Sequence, residues 1–190
     1  MSSEKKNDPA GETTRSDSRA GVQQYLVFHL RSQPYGVPIL CVKEILQYSA
    51  LTAIPRTPPY LAGVINLRGS VVPVIDLACL LDARPSEITR RSCIVIVEAD
   101  QAGEGEAPLE AGIIVDLVDQ VIDLSPQDIE TTPAVGIGER ARFVAGMGRY
   151  GEGFVILLNL NMILGPEEIQ IVAGRAGTSS SMVPVPPESP

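Results

Sequence analysis

Short runs of aliphatic, mostly β-branched residues recur along this chain, each cut off by glycine, proline or charge. They read "QYLVFHL" (24–30), "YGVPIL" (35–40), "GVINL" (63–67), "SVVPVIDL" (70–77), "SCIVIVEA" (92–99), "AGIIVDLVDQVIDL" (111–124), "RFVAGMGRY" (142–150) and "GFVILLNL" (153–160). Branched residues pack well on a pleated surface, and the punctuation places turns between the runs. The pieces with helical spacing, "CVKEILQY" (41–48), "DLACLLDA" (76–83), "SPQDIE" (125–130) and "NMILGPEEIQIV" (161–172), are too short to cross over between parallel strands. Many short sequential strands with such small helices predict an all-β fold with short helices, a barrel or a sandwich.

Within the first run, Leu26, Phe28 and Leu30 fall on one face and Tyr25, Val27 and His29 on the other. Pro38 confines the next strand to an edge or an end. The helical reading of "CVKEILQY" rests on Val42, Ile45 and Leu46, and 111–124 reads as one long strand or two in succession. Aromatics are only 4% of the residues and Trp is absent, so the core must come from Val, Ile and Leu. Residues 1–20 and 173–190 are polar or rich in Ser, Pro and Gly, and are expected to be disordered tails.

Charge narrows the function. With 23 acidic against 15 basic residues the net charge is −8, which opposes binding to nucleic acid or anionic lipid and favours protein partners. Cys41, Cys79 and Cys93 are odd in number and widely spaced, so neither a disulfide framework nor a zinc site is expected, and a reducing cytoplasm is.

Four groups of residues carry chemistry to weigh. "GMGRYGEG" contains GxGxxG at Gly146, Gly148 and Gly151, the pattern of a nucleotide-binding enzyme. The residues after it have strand composition, so a hairpin turn explains the glycines better. His29, the single histidine, has no catalytic partner that a sequence can place beside it and reads as structural. Asp116, Asp119 and Asp123 do not match a calcium loop and read as turn and edge residues. Arg68 and Gly69 separate "GVINL" from "SVVPVIDL". Gly69 supplies the positive φ of a tight hairpin, but a turn asks nothing of a guanidinium. Arg68 is either an exposed charge, pairing with a carboxylate such as Asp76, or an interface anchor, which its fixed donors and stacking plane suit.

"GVINLRGSVVPVIDL" (63–77), with "YLVFHL" and "YGVPILCVKEIL" before it and "AGIIVDLVDQVIDL" and "FVAGMGRYGEGFVILLNL" after it, resembles the CheW-type coupling (adaptor) proteins of bacterial chemotaxis. The similarity runs from Gln24 to Leu164. It implies two packed five-stranded SH3-like β-barrels over 21–172, with the boundary between them expected near 85–92. It further implies no catalysis and no cofactor or metal. Such proteins join a CheA-type histidine kinase, through its regulatory domain, to the cytoplasmic hairpin tip of methyl-accepting chemoreceptors. The location implied is cytoplasmic, membrane-associated through receptor arrays. A scaffold in a non-flagellar chemosensory pathway, with pili or another output, is the alternative. Carried onto this chain, the receptor- or kinase-binding positions are Arg68, Leu26, Val37, Leu40, Val42 and Val118. Leu26 and Val118 fit core positions equally well, and Val42 fits the buried face of its short helix. The loop "DQAGEGEAPLE" (100–110) and the Pro-rich end depart from the common pattern.

Overall fold

The computed structural model describes residues 21–100, 108–130, 138–165 and 169. Both expected tails, and most of the 100–110 loop, lie outside the described residues. The chain starts with a hairpin. Gln23–Leu30 (β1) and Gln33–Pro38 (β2) pair antiparallel from Tyr25↔Pro38 to Leu30↔Gln33. Arg31 and Ser32 make the turn at φ 47° and 70°, and positive φ at both positions gives the twist that paired strands require. Pro38 is the last residue of β2, where its missing N–H does least damage to the ladder.

A 3-10 turn, Ile39–Cys41, then carries the chain into a second sheet. There Val42–Gln47 (β3), Leu61–Leu67 (β4), Ser70–Asp76 (β5), Cys93–Ala99 (β6) and Leu109–Val115 (β7) lie in the order β3-β6-β7-β5-β4. A six-residue helix, Leu77–Asp82 (α1), follows β5, with the Asp76 carboxylate accepting from the Cys79 N–H as its cap. At Asp116 the chain returns to the first sheet. Leu117–Leu124 (β8), Ile129–Glu130 (β9), Val144–Tyr150 (β10) and Gly153–Leu158 (β11) join β1 and β2 in the order β8-β1-β2-β11-β10-β9. Leu160–Leu164 (α2) follows, capped by Asn159.

Each sheet closes on itself. In the second, the chain beyond β3 stays paired through Tyr48 N–H to the Ser92 carbonyl, and Thr52 then bridges Val64 of β4 by two bonds of 3.0 and 2.9 Å. The two outer strands are thus joined into a five-stranded barrel. Gly63 permits the closure: its φ is 149°, and a Cβ there would lie 2.5 Å from the Thr52 carbonyl oxygen. In the first sheet, β8 and β9 are successive parts of one path, bent at Ser125 and the 3-10 turn Pro126–Asp128. β8 pairs with β1 and β9 with β10, so this path closes the ring and the six strands make a five-stranded barrel.

Three apolar cores follow from strand alternation. Tyr25 and Val27 point into the first barrel with Leu124, Val155 and Leu157. Val72, Val74, Ile94, Ile96 and Ile114 fill the second. The largest cluster lies between the barrels, where Leu26, Phe28, Leu30 and Val37 meet Val95, Val97, Ile113 and Val115. β1 is therefore buried on both faces, which its period of two already separated.

Two expectations need correction. "CVKEILQY" is not a helix, because Val42–Gln47 is a strand whose half-buried positions are Val42, Glu44 and Leu46. The barrels do not divide near 85–92, since β5 before that segment and β6 after it belong to one sheet. The crossings lie instead at Ile39–Cys41 and at Asp116.

Candidate partner-docking site

Arg68 and Gly69 form the two-residue turn between Leu67 and Ser70, at φ 52° and 94°. Asn66 Oδ1 accepts from the Gly69 N–H at 2.9 Å and fixes the tip. Left-handed backbone costs an L-residue roughly 1–2 kcal/mol that glycine does not incur. Arginine therefore sits here against the turn's own preference. Its side chain is 81% exposed, and Nη2 donates to Glu44 Oε2 at 3.0 Å. Asp76, considered as a partner, is buried and engaged with Cys79 and Ser86. Glu44 lies 24 residues upstream, on a strand whose sequence reads as a helix, so no local pattern points from Arg68 to it. An exposed pair of this kind contributes about 0.2–1 kcal/mol, so it orients the guanidinium more than it stabilises the fold.

Leu40 stands apart from the other exposed apolar residues. It is 88% exposed, whereas the other exposed large ones among the described residues range from 40% to 49%. It projects from the Ile39–Cys41 turn into a groove of about 520 Å³. One wall comes from the second barrel, as Glu98, Ala99 and Asp100, and the other from the first, as Ala145 and Leu158 to Asn161. Leu26 and Val37 are sealed in the inter-barrel core, which also holds the groove residues Ala99, Leu158 and Leu160, and Val42 is half-buried against that core. Val118 is half-buried too, but it pairs with Phe28 toward the Arg31 turn and does not line the groove. Leu26 and Val37 thus offer no surface to a partner in this conformation. They hold the groove's floor in place.

The groove and the arginine belong to one surface. Arg68, Glu44, Lys43, Leu67, Ser70 and Glu110 line a second recess of about 330 Å³. Lys43 donates to Glu98 at 2.6 Å, which links this recess to the groove wall. That bond raises the Lys43 pKa, so the ammonium stays charged. Burial, then the negative charges of Asp100 and Glu98, push the Cys41 thiol up. A thiol so held is a poor nucleophile.

The other sequence candidates serve structure. Gly146, Gly148 and Gly151 belong to the β10–β11 hairpin and not to a strand-to-helix turn, so the dinucleotide reading fails. Gly148 is needed for space, because a Cβ would collide with the Leu124 side chain inside the barrel. His29 Nε2 lies 3.3 Å from Asp119 Oδ2, which also accepts from the Tyr150 hydroxyl. Asp116 accepts from the Arg31 N–H and Asp123 from Gln24. Among the described residues no three or more His, Cys, Asp or Glu side chains gather to hold a metal. No helix among them is long and apolar enough to cross a membrane.

Two packed five-stranded barrels thus meet at a groove of mixed apolar and polar side chains, with a charged edge beside it. The chain belongs to the CheW-like domain family, whose model matches residues 24–168. It is 31% identical over 150 residues to the chemotaxis protein CheW of Klebsiella aerogenes, covering 79% of this chain and 86% of that protein. A probable chemotaxis protein CheW of Rhizobium etli is 29% identical over 148 residues, covering 78% and 91%. The crystal structure of the scaffolding protein TtCheW from Thermoanaerobacter tengcongensis matches with a TM-score of 0.64 and 34% identity, over 74% of this chain and 86% of that one. The barrels are accordingly SH3-like, and the chain is a CheW-type chemotaxis scaffold.

Proposed function

We propose that this chain is a non-catalytic adaptor that couples chemoreceptor signalling tips to the regulatory domain of a CheA-type histidine kinase. In that role it works in the cytoplasm and reaches the membrane only through receptor arrays. The observation that carries the reading is Leu40, almost wholly in water on a short turn. Burying such a side chain recovers about 1.5–3 kcal/mol, a gain that a docked partner would collect. An amphipathic helix laid in the groove would cover Leu40 and reach Val42, while its polar edge meets Lys43, Glu44 and Arg68. Leu26 and Val37 act from below, by holding that surface in shape. A single site of this size suits roughly micromolar affinity, about −8 kcal/mol, strengthened by repetition in an array.

Co-sedimentation with a receptor cytoplasmic fragment and the kinase tests the reading. Leu40→Ser and Arg68→Asp should keep the fold and lose receptor-dependent pelleting and kinase coupling. Leu26→Ala should instead lower stability by about 2–5 kcal/mol, as a core truncation does. Full coupling by a doubly substituted Leu40→Ser, Arg68→Asp chain would refute the site.

A further inference from the structure

The interface between the barrels is apolar, and apolar burial is non-directional: it holds two bodies together without fixing the angle between them. Directional contacts across that interface are therefore informative, and several converge on Arg31. Its backbone N–H donates to Asp116 Oδ2 at 2.6 Å, and the Asp116 N–H donates to the His29 carbonyl at 3.0 Å. Asp116 is the residue at which the chain leaves the second barrel for the first. The Arg31 guanidinium extends the other way. Nη2 donates to the carbonyls of Arg84 and Pro85 at 2.8 and 3.1 Å, and Nη1 lies 3.6 Å from Asp82 Oδ2. Those three residues are the end of α1 and the segment just beyond it, which belong to the second barrel. One side chain on the first barrel's hairpin turn thus grips the second barrel, with Nη2 serving both carbonyls while Nη1 of the same planar fork faces the Asp82 carboxylate.

Position gives the grip its leverage. The β1–β2 hairpin runs between the barrels from Arg31 at its turn to Pro38 at its open end. The Ile39–Cys41 turn and Leu40 follow Pro38 directly. The groove walls come one from each barrel, so a rotation about the far end of this hairpin changes the gap between Asp100 and Asn159. We infer that Arg31 is a positioning residue that sets the angle between the barrels and thereby the width of the Leu40 groove. The functional consequence rests on the proposed docking role of the groove, but the angle itself can be measured without any partner.

Backbone residual dipolar couplings, recorded on the full chain in a weakly aligning medium, read that angle directly. In the unmodified protein both barrels should fit one alignment frame. In Arg31→Ala each barrel should still fit its own internal geometry, while the two frames rotate apart or differ in magnitude. Arg31→Lys, which keeps the charge and loses the fork, should fall between. Amide exchange at Ala99, Asp100 and Asn159 should quicken severalfold in both variants. A single shared frame of unmodified orientation in both would overturn the inference. So would loss of internal fit within the first barrel, or failure of both variants to fold, since Arg31 would then serve the hairpin alone. Receptor pelleting by the same variants reports separately on the docking role.

Discussion

Arg68 adopts a backbone conformation that disfavours it and places its side chain in water, where Glu44 holds it. That combination separates what the turn needs from what the surface uses. Arg68→Gly removes the left-handed strain together with the guanidinium, whereas Arg68→Ala removes the guanidinium and keeps the strain. The glycine variant should be the more stable of the two, by about 1 kcal/mol, which is a few degrees in Tm for a chain of this size. Both should lose receptor binding alike. Thermal denaturation of the pair checks the first statement, and an alanine variant that melts at or above the glycine variant would contradict it. At Asp119, the Tyr150 hydroxyl, and after it His29, holds the carboxyl below its usual range, and the same carboxylate pushes the Tyr150 pKa up. The stabilisation from this link is complete above the unfolded Asp value of about 4 and below the unfolded Tyr value of about 10. It is lost as pH falls through the lowered Asp119 value or rises through the raised Tyr150 value. The Tm difference between the unmodified chain and Tyr150→Phe should therefore be constant near neutrality and shrink at both extremes. A difference that does not change with pH would remove the carboxylate from the account.

Closure of the second barrel depends on one approach of two backbones, Thr52 against Val64, with Gly63 between them. Gly63→Ala should cost about 1–3 kcal/mol from the strained φ and the collision with the Thr52 carbonyl. Amide exchange should accelerate first at Thr52 and Val64, and unchanged protection there would mean that the barrel closes by other means. Such elements also mark how far the sequence could be read. β1 and β6 are legible as short apolar runs bounded by charge, the mark of strands buried on both faces, and the β10–β11 hairpin is legible from the glycines at its turn. β3 is not, since Glu44 occupies an inward position and an ionised residue there hides the period of two. Its reason for being there is Arg68, a partner that no local pattern reveals. The division between barrels was misplaced for a similar reason. The chain changes barrel at a three-residue turn inside an apolar run and at a single aspartate, Asp116, a break too brief to mark a boundary between bodies. Leu40, in "YGVPIL", reads as one more strand residue, and only the 3-10 turn after Pro38 turns it outward.

At the scale of the molecule, two rigid barrels share one apolar seam, the exposed leucine stands at a groove with one wall from each barrel, and the arginine turn lies on the second barrel, linked to that groove through Lys43 and Glu98. The seam gives the module its rigidity, and the Arg31 contacts give it a fixed angle. Nothing in this arrangement requires the ends of the barrels to change shape when a helix docks. Response to a partner should thus be confined to the groove and its charged edge. The most direct test is a titration of a helical receptor-tip fragment into isotopically labelled protein, followed by amide and methyl chemical shifts. Shifts should move at Leu40, Val42, Lys43, Glu44 and Arg68 and stay still at His29, Asp119 and Tyr150. Movement centred on the Asp119 end of the first barrel, with Leu40 and Arg68 silent at saturation, would contradict the account.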